Sequence, residues 1–431
     1  MNSINKVAVI GLGYIGLPTA AILATNGLNV VGVDINRQTV DAVNRGEVPF
    51  VEPDLSVHVA GAVAQKHLSA STETPMAEAY IVAVPTPFKD DKSADLSYIE
   101  AAAHGIAEKL QGGELVILES TSPPGATQHL ADYLIKLRPD LSLDGEEGRP
   151  QILLAHCPER VLPGRVMIEL VTNDRIVGGI TPAAAQKAKS LYEVFCQGEI
   201  HLTDAVTAEM AKLVENSFRD VNIAFANELS MISEKLQIDV WELISLANHH
   251  PRVNILQPGP GVGGHCIAVD PWFIVDAVPE QAKLIRTARE VNDSKPLWVV
   301  EQVIAAVNKV PESVVAVLGL AFKANIDDLR ESPAVDIVRV LSEELPSARI
   351  LAVEPHIEKL PPALERSQNV ELAEAPHALE EADVVVLLVA HDDFRDISSA
   401  SYDGKVVVDV IGFDSSPELM LAHTRAEAPS L

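Results

Sequence analysis

Residues 6–16 read KVAVIGLGYIG, and residues 29–34 read NVVGVD. The first stretch starts with a short apolar run typical of a buried strand and ends in a GxGxxG pattern at residues 11–16. An apolar helix is predicted directly after it, from about Leu17 to Thr25, and the second stretch is a strand that ends at Asp34. Strand, glycine-rich turn, helix and strand in this order predict a βαβ unit at the start of the chain.

The glycine pattern at residues 11–16 is typical of a dinucleotide site. Glycine permits the tight turn and lets a pyrophosphate approach the helix N-terminus, where free N–H groups and the helix dipole favour negative charge. Asp34 can accept hydrogen bonds from the adenine ribose and would repel a 2′-phosphate, which favours NAD over NADP. Arg37 lies close enough to weaken that preference. A glycine turn with a purely structural role is the alternative interpretation.

Further apolar runs extend this pattern into a first α/β domain, which we expect to span residues 1–200. Strand-like runs at residues 79–84, 115–118 and 152–155 alternate with helical stretches. Such alternation is typical of an open parallel sheet that carries helices on both faces.

The rest of the chain predicts a long helix and a second α/β domain. A helix from Thr207 to Leu236 would be apolar on more than one face, so we expect a central domain, residues 201–309, whose long helix also offers a dimer face. A second helical pattern follows at residues 282–307. A new strand from Ser313 then begins a domain of residues 310–431, whose further strands lie near residues 350–353, 384–389 and 406–410.

The chain is strongly acidic. Its 431 residues include 33 Lys and Arg against 61 Asp and Glu, a formal net charge of −28. Phosphates would be repelled at long range, so neither nucleic acid nor an anionic membrane surface is an expected partner, and an anionic ligand needs a locally basic pocket. The uncharged run at residues 7–33 is interrupted by glycines and a proline, so it does not predict a membrane helix.

The three cysteines are Cys157, Cys196 and Cys266. An odd number without a CxxC pair fits neither a disulfide framework nor a clustered zinc site, so we expect no metal and a reducing cytoplasmic location. Cys266 stands out because four glycines within residues 259–264 deliver its thiol to the end of a loop that can wrap a ligand closely. We expect Cys266 to be a nucleophile, since no packing reason for so many glycines is evident, and an inert buried thiol is the alternative. Cys157 and Cys196 are expected to be inert.

The long helix carries Lys212, Asn216 and Arg219 at spacing i, i+4 and i+7, which places them on one face. A cation and an amide on an otherwise apolar helix cost desolvation unless a polar group meets them, although a solvated surface stripe is the alternative. Cations are scarce in this chain, and several fall in motif-like segments that suggest a polyanion pocket: Arg160, Lys212, Arg219, Arg252, Lys323 and Arg330.

Four other segments are candidates for ligand contact. VPTP at residues 84–87 and ESTSPP at residues 119–124 follow strands at the carboxyl edge of the sheet, where hydroxyls can contact a cofactor, unless the prolines only shape a turn. HHPRVN at residues 249–254 follows a helix, whose C-terminal dipole its histidines could equally complement. GLAFK at residues 319–323 follows the first strand of the last domain without GxGxxG, so we expect a different ligand there.

Together these motifs resemble the nucleotide-sugar 6-dehydrogenases. The resemblance covers the chain to about Pro333 and, more loosely, the rest; it implies an N-terminal Rossmann NAD domain, a central long helix that forms a homodimer or higher oligomer, and a C-terminal Rossmann-like UDP-binding domain. The segments that carry it are GLGYIGLPTA, VGVDIN, VPTPFK, ESTSPPG, HCPERVLPG, TAEMAKLVENSFRDVNIAFANELS, HHPRVNILQPGPGVGGHCIAVDPWF, LIRTAREVND and GLAFKANIDDLRESPA.

The resemblance also assigns roles to residues. The cofactor site is expected to include the glycines Gly11, Gly13 and Gly16 and the nearby Arg37. For the same cofactor the resemblance implies contacts from Tyr14, Ile15, Asp34, Thr86, Thr121 and Arg330. For the UDP sugar it implies contacts from Arg160, Val161, Lys212, Asn216, Arg219, His250, Arg252, Gly263, Phe322 and Lys323. For catalysis it implies Cys266 as nucleophile, Lys212 as acid/base or oxyanion group, Asn216 as oxyanion donor, and Glu159 and Asp270 as carboxylates whose separate tasks stay open.

The implied reaction is the four-electron oxidation of a sugar C6 alcohol to a carboxylate with two NAD, which supplies a surface polysaccharide precursor. Pro163 stands where UDP-glucose dehydrogenases carry a second glutamate, which favours the branch that oxidises UDP-N-acetyl-D-mannosamine; UDP-glucose and UDP-N-acetylglucosamine remain alternatives. Ile411 replaces an expected basic substrate contact. A two-electron hydroxyacid dehydrogenase would need no thiol, and a non-catalytic NAD sensor would not need Lys212, Asn216 and Cys266.

Overall fold

The computed structural model describes residues 4–89, 92–162, 164–264, 267–308, 313–395 and 397–413. The chain forms two compact units. The first contains Met1–Glu215 with Trp272–Pro279, and the second contains Asn216–Pro271 with Glu280–Leu431.

The first unit is built on one eight-stranded sheet with the order β3-β2-β1-β4-β5-β6-β7-β8. Neighbouring strands are parallel except β6 and β7, and Ile10 at the end of β1 pairs with Val33 on one side and Val82 on the other. The strands are β1 (Lys6–Ile10), β2 (Asn29–Val33), β3 (Leu68–Ser71), β4 (Ala79–Val82), β5 (Leu115–Leu118), β6 (Leu153–His156), β7 (Arg175–Gly179) and β8 (Ile200–Asp204).

Helices cover both faces of this sheet. Alternate residues of β1 point to opposite faces, so Val7 and Val9 belong to one apolar core while Ala8 and Ile10 belong to the other. The helices are α1 (Gly16–Thr25), α2 (Arg37–Asn44), α3 (Leu55–Ala64), α4 (Ser97–Ala107), α5 (Ala126–Leu137), α6 (Val166–Thr172) and α7 (Pro182–Tyr192).

The prediction of an all-parallel sheet was wrong at one place. β6 and β7 run antiparallel, since β7 begins at the same end of the sheet that β6 leaves, and β8 follows β7 in this reversed direction. The sequence also gave no prediction of β3, β7 and β8. β3 and β8 are the edge strands, and their polar, partly exposed residues lack the apolar run that marks a buried strand.

The second unit contains a five-stranded parallel sheet with the order β11-β10-β9-β12-β13. This is the strand order of a Rossmann half, so the prediction of a second nucleotide-binding fold is confirmed. The strands are β9 (Val314–Leu318), β10 (Arg349–Val353), β11 (Val370–Leu372), β12 (Val384–Leu387) and β13 (Val406–Asp409). The helices from here on are α8 (Ala205–Leu236), α9 (Val240–Asn248), α10 (Asp270–Ala277), α11 (Lys283–Val307), α12 (Pro333–Glu344) and α13 (Ala375–Glu381).

Two predicted long helices are confirmed as α8 and α11. Within the second unit they are joined by a buried polar cluster, in which the Arg289 guanidinium lies 2.5 Å from an Asp220 carboxylate oxygen. The Asn292 amide donates to the same oxygen at 2.8 Å, and the Asn227 amide donates to Asn292 at 2.9 Å. Because these groups satisfy one another away from water, they fix the register of the two helices. None of the helices in the described ranges has both the length and the apolar character needed to cross a membrane.

The glycine turn at the end of β1 gives a stability prediction with an internal control. A Cβ on Gly16 would lie 1.9 Å from the Gly11 carbonyl oxygen, whereas a Cβ on Gly13 would meet no heavy atom within 4 Å. Gly16→Ala should therefore destabilise the protein by about 1–3 kcal/mol through overpacking. Gly13→Ala should change stability by less than about 0.5 kcal/mol. Urea unfolding of both variants checks this, and equal losses would contradict it.

Candidate active site

The strand order of the first sheet reverses between β1 and β4, and open α/β sheets bind ligands where this happens. Three loops meet there. The Gly11 turn is so close to the loop after β4 that a Cβ on Gly11 would lie 2.4 Å from the Ala83 oxygen. The Ser120 hydroxyl, in the loop after β5, donates to the Val84 oxygen at 2.6 Å. The loops that carry Tyr14, Thr86 and Thr121 are thus linked to one another.

Asp34 holds this region from the end of β2. One carboxylate oxygen accepts the Leu12 N–H at 2.9 Å, and the other accepts the Asn36 N–H at 2.8 Å. The side chain is half-buried, and a carboxylate offers about four acceptor positions in all. Asp34 can therefore fix the glycine turn and still accept hydrogen bonds from a ribose diol.

Several features of this turn fit a dinucleotide. Gly13 faces open space, and the first turn of α1, entered through Ile15, contains no acidic side chain that would oppose a pyrophosphate. The Thr86 hydroxyl is buried without a hydrogen-bond partner in the described part of the chain, as expected for a group that awaits a ligand. Tyr14 is half-exposed and its ring lies 4.2 Å from that of Phe50. Arg37 is exposed at the start of α2.

The loop after β5 is held by the start of α8. The Glu209 carboxylate accepts the Gly125 N–H at 2.6 Å, the Thr127 N–H at 2.7 Å and the Thr127 hydroxyl at 2.6 Å. Burial raises the pKa of Glu209, although these three hydrogen bonds oppose the shift. Glu209 therefore connects the Thr121 loop to the helix turn that carries Lys212, and both belong to the first unit.

Glu159, Arg160 and Val161 follow β6 in the first unit. Glu159 is buried, and its carboxylate accepts the Arg160 N–H at 2.6 Å. The Arg160 guanidinium lies 2.5 Å from a Glu215 carboxylate oxygen and donates to the backbone carbonyl oxygen of Asp174 at 3.2 Å. Val161 packs its side chain on the core of the unit, so a ligand could reach only its backbone.

The six cations predicted to form a polyanion pocket differ in their pairing. Arg160 is paired with Glu215, and Arg330 is paired with Asp328 through two hydrogen bonds of 2.9 and 2.6 Å. Among the described residues no carboxylate lies within ion-pair distance of the remaining four, which are Lys212, Arg219, Arg252 and Lys323. No ion pair within the described residues therefore neutralises these four cations, and each is available to an anionic ligand.

Asn216 and Asp270 meet within the second unit. Asn216, on α8, donates from its side-chain amide to the Asp270 carboxylate at 2.5 Å, and both side chains are buried. Asp270 is the first residue of α10, four positions after Cys266. His265 and Cys266 lie outside the described residues, as does Pro163. Asn216 and Asp270 are therefore the predicted catalytic residues that the structure brings into direct contact.

The glycines before Cys266 have packing reasons that the sequence did not reveal. A Cβ on Gly263 would lie 2.5 Å from the Glu331 oxygen, and one on Gly264 would lie 3.1 Å from the Phe322 ring. Gly264 also has φ +81°, which favours glycine. The expectation that packing does not require the glycines was wrong for these two, whereas a Cβ on Gly259 would meet no heavy atom within 4 Å. Because of this close approach, Phe322, a predicted substrate residue, packs directly against the backbone segment that leads to Cys266.

The segment after α9 is exposed. His249 caps α9, and the His250 ring accepts the Arg252 N–H at 3.3 Å. Both His250 and Arg252 are open to solvent. They remain candidates for ligand contact because both are exposed and because, within the described ranges, no carboxylate pairs with Arg252.

Three profiles of the UDP-glucose/GDP-mannose dehydrogenase family match the chain: the NAD binding domain at residues 5–196, the central domain at residues 206–294 and the UDP binding domain at residues 316–414. The chain belongs to this family. It is an NAD-dependent dehydrogenase, so the predictions of family, fold and cofactor are confirmed.

Relatives resemble the chain over nearly its whole length. The NDP-N-acetyl-D-galactosaminuronic acid dehydrogenase of Ralstonia nicotianae is 58% identical over 96% of this chain and 97% of its own. The UDP-N-acetyl-D-mannosamine dehydrogenase of Escherichia coli K12 is 54% identical over 95% and 99%. The solved structure of the UDP-N-acetyl-mannosamine dehydrogenase Cap5O from S. aureus has a TM-score of 0.82 and 42% identity, and covers 95% of this chain and 96% of its own.

The UDP-binding domain contains a loop clamp that the sequence did not suggest. The Glu354 carboxylate, after β10, accepts the N–H groups of Leu320 and Ala321 at 2.7 and 2.9 Å and faces the His391 ring nitrogen Nε2 at 3.1 Å. His391 Nδ1 accepts the Asn325 N–H at 3.0 Å. The clamp thus fixes both ends of residues 320–325, the loop that presents Phe322 and Lys323.

This clamp also accounts for a cluster of potential metal ligands. Glu354, His356 and His391 place ligand atoms within 4.8 Å of one another. His391 Nδ1 accepts a backbone N–H, so Nε2 must carry the proton and donate it to Glu354. Burial opposes ionisation of Glu354, but the hydrogen bonds from His391 and the backbone hold its pKa below the ordinary value. His391 in this state has no free lone pair for a metal ion.

The clamp predicts how two substitutions at His391 should differ. His391→Leu removes the acceptor for Asn325 and the donor to Glu354, so the Phe322–Lys323 loop loses its position. We expect UDP to bind about tenfold more weakly, roughly the 1.4 kcal/mol of one hydrogen bond, while NAD affinity stays unchanged. His391→Gln can both accept and donate, and should retain most of the affinity. Calorimetric titration with UDP and NAD checks this, and an equal loss for both ligands would contradict it.

Proposed function

We propose that the protein oxidises UDP-N-acetyl-D-mannosamine at C6 to UDP-N-acetyl-D-mannosaminuronate, with two NAD consumed per product. The observation that carries this proposal is the similarity to the Escherichia coli UDP-N-acetyl-D-mannosamine dehydrogenase, which extends over 95% of the chain. The buried Asn216–Asp270 pair four residues from Cys266 supports a nucleophile at that position.

The reaction removes four electrons as two hydrides, and bound NAD supplies the acceptor for each. In the first oxidation the C6 alcohol loses a hydride and a proton and becomes an aldehyde. The Cys266 thiolate then adds to the aldehyde carbon and forms a thiohemiacetal. Loss of the second hydride and a proton gives a thioester, and water breaks its carbon–sulfur bond to release the carboxylate and the thiol. A covalent intermediate keeps the aldehyde from escaping between the two oxidations.

The side chains described above divide the remaining tasks. Lys212 carries an unpaired charge that can stabilise the oxyanions of the alkoxide and thiohemiacetal stages, or exchange the alcohol proton. Asn216 is oriented by its hydrogen bond to Asp270 and can donate to the same oxyanions. Glu159 or Asp270 would activate the water. Asp270 contacts Asn216 directly, whereas Glu159 faces Arg175, which favours Asp270 for a role beside the reacting carbon.

Two N-acetylhexosamines are candidates for the sugar, and they differ in configuration at C2 and C4. Several relatives at 54–56% identity are named UDP-N-acetyl-D-mannosamine dehydrogenase, and Cap5O is named likewise. The Ralstonia relative, at 58% identity, is named for N-acetyl-D-galactosaminuronic acid. We therefore propose the mannosamine substrate and include the galactosamine isomer in the test.

We further propose that the protein is a homodimer through α8. Phe218, Phe225 and Ile232 recur every seven residues and Leu236 follows four residues later, so at 100° per residue all four lie within 40° on one face. Phe218 is 71% exposed and Phe225 is 51% exposed, which is unusual for large apolar side chains on one stripe. A second copy of the same helix would bury them. The free thiols of Cys157 and Cys196 support a reducing, cytoplasmic location.

The substrate prediction is tested with a panel of UDP sugars that includes N-acetylmannosamine, N-acetylglucosamine, N-acetylgalactosamine and glucose. We expect UDP-N-acetyl-D-mannosamine to have the highest kcat/KM and to give two NADH per uronate, measured by absorbance and by mass spectrometry of the product. One NADH with free aldehyde as the main product would contradict the mechanism. A higher kcat/KM for UDP-N-acetylgalactosamine would instead assign the protein to the chemistry of its Ralstonia relative.

The thiol prediction isolates Cys266. Cys266→Ala should keep the fold and NAD affinity and lower uronate formation by at least about 100-fold, because no covalent intermediate can form. Cys196→Ala is the matched control and should retain normal turnover. Normal uronate formation by Cys266→Ala would refute the mechanism.

The oligomer prediction concerns the apolar face of α8. The double variant Phe218→Asp/Phe225→Asp should run as a monomer of 46.2 kDa in light scattering, while the unmodified protein shows at least twice that mass. Val57, which is 74% exposed on α3, supplies the control, since Val57→Asp should leave the mass unchanged. If the α8 variant keeps the mass of the unmodified protein, the interface lies elsewhere.

A further inference from the structure

The first unit contains a sealed cluster of mostly polar and ionisable side chains, of which the mechanism above uses only Glu159. It lies beneath the cofactor turn, between α1, α7 and the strands β5 to β7. No member is more than 8% exposed. Its members are Thr19, Glu119, Cys157, Glu159, Arg175, Tyr192 and Phe195.

Charge is unbalanced in this cluster if every group ionises. Arg175 is the cation, and its guanidinium lies 3.5 Å from a Glu159 carboxylate oxygen. The same guanidinium packs on the rings of Tyr192 and Phe195, at 4.7 and 5.2 Å. Glu119 adds a second carboxylate to the same compartment. Two carboxylates against one guanidinium would leave a net negative charge with no water around it, which is strongly unfavourable.

The hydrogen bonds of Glu119 suit a neutral acid. One oxygen contacts the Thr19 hydroxyl at 3.0 Å, and the other contacts the Tyr192 hydroxyl at 3.1 Å. Both partners are hydroxyls, which can accept a hydrogen bond from a carboxylic acid as well as donate one to a carboxylate. Burial, followed by repulsion from Glu159, raises the pKa of Glu119 to about 8. The charge count and the pKa direction therefore agree.

We propose that Glu119 is a positioning residue that holds a proton in the working enzyme and thereby leaves the Arg175 charge to Glu159. Glu159 in turn accepts the Arg160 N–H, so its position sets the backbone of a predicted UDP-sugar residue. If Glu119 ionised, it would compete for Arg175 and loosen that link. This role rests on the proposed function, but the protonation of Glu119 does not.

Glu119 also connects the two segments of the first unit that are predicted to contact the cofactor and the sugar nucleotide. Thr19 belongs to α1, three residues after Gly16, and Thr121 follows Glu119 by two residues in the cofactor loop. Arg175 and Glu159 connect the same carboxyl group to Arg160. One neutral acid thus joins the cofactor turn to the loop assigned to the sugar nucleotide.

Cys157, Tyr192 and Arg175, which also face Glu119, do not change charge between pH 5 and 9. Burial raises the pKa of Cys157 to about 12 and holds the pKa of Tyr192 well above its ordinary value. Burial opposes the charge on Arg175, but Glu159 and other neighbours raise its pKa above the ordinary value, so it stays cationic. The faces of the cluster are closed by α1 through Thr19, by α7 through Tyr192, by β7 through Arg175 and by the segment after β6 through Cys157 and Glu159.

The test compares thermal unfolding of the unmodified protein and Glu119→Gln from pH 5 to 9. Glu119 binds its proton more tightly when folded, so the unmodified protein loses up to tenfold in folding equilibrium constant per pH unit between about pH 5 and 8. Glu119→Gln does not titrate. Its Tm minus that of the unmodified protein should therefore rise with pH and level off above about pH 8. The surface variant Glu108→Gln should show no such trend, and a flat difference for Glu119→Gln would overturn the proposal.

A second variant keeps the inference testable if Glu119→Gln folds poorly. The unmodified protein at pH 7 should show the infrared band of a buried protonated carboxylic acid. In Glu159→Gln the guanidinium faces Glu119 alone, so Glu119 should ionise and this band should disappear. Persistence of the band in Glu159→Gln would show that the two carboxyl groups do not share one counter-charge.

The positioning role has its own readout in kinetics. Glu119→Gln mimics the neutral acid, so it should keep kcat/KM for the UDP sugar within about threefold at pH 7, whereas Glu119→Ala should raise the KM for the UDP sugar more than tenfold. The KM of the unmodified protein should rise above pH 8, and that of Glu119→Gln should not. A KM that follows the same pH course in both proteins would reduce Glu119 to a structural residue. An unmodified protein that oxidises no UDP sugar would refute the proposed function and leave the unfolding and infrared results standing.

Discussion

A carboxylate that accepts backbone N–H groups is the interaction on which both nucleotide-binding folds depend. In the first unit Asp34, after β2, accepts the Leu12 N–H of the turn that follows β1. In the second unit Glu354, after β10, accepts the Leu320 and Ala321 N–H groups of the turn that follows β9. Each turn leaves the first strand of its sheet and would otherwise have unpaired donors, so the carboxylate one strand away fixes its conformation.

The two folds then diverge in what covers that carboxylate. Asp34 stays half-buried, so its remaining acceptor positions can meet a ribose. Glu354 is buried and is capped by His391, which takes up the acceptor capacity that a sugar would need. The same architectural position is therefore open to a ligand in the first unit and supports only a loop in the second. The second fold has no GxGxxG pattern, and its predicted ligand groups, Phe322 and Lys323, lie in the supported loop itself.

The sequence predicts those parts of the structure that local pattern determines. The β1 turn, α8 and α11 were predicted because each is marked by its own apolar period or glycine spacing. The edge strand β3, with the sequence LSAS, and the reversed strand β7 were missed because pairing partners, not local residues, define them. The Gly263 contact with Glu331 and the Glu119–Arg175–Glu159 cluster join residues about 16 to 70 positions apart. Contacts of this kind exist only once the fold is formed, and no spacing of residues in the sequence predicts them.

A strongly acidic chain can bind anionic ligands because electrostatic interactions in salt solution act mainly over short distances. At physiological ionic strength charges are screened beyond about 8 Å, so a bound ligand is screened from most of the net charge of −28 and the groups beside it decide its affinity. Beside the predicted sites, Arg160 and Arg330 are held by Glu215 and Asp328 in partly exposed ion pairs. Such pairs contribute only about 0–1 kcal/mol, so a phosphate can replace the carboxylate at little cost. At these two predicted contacts, binding of a phosphate would therefore be an exchange of anions around a guanidinium that an ion pair already holds.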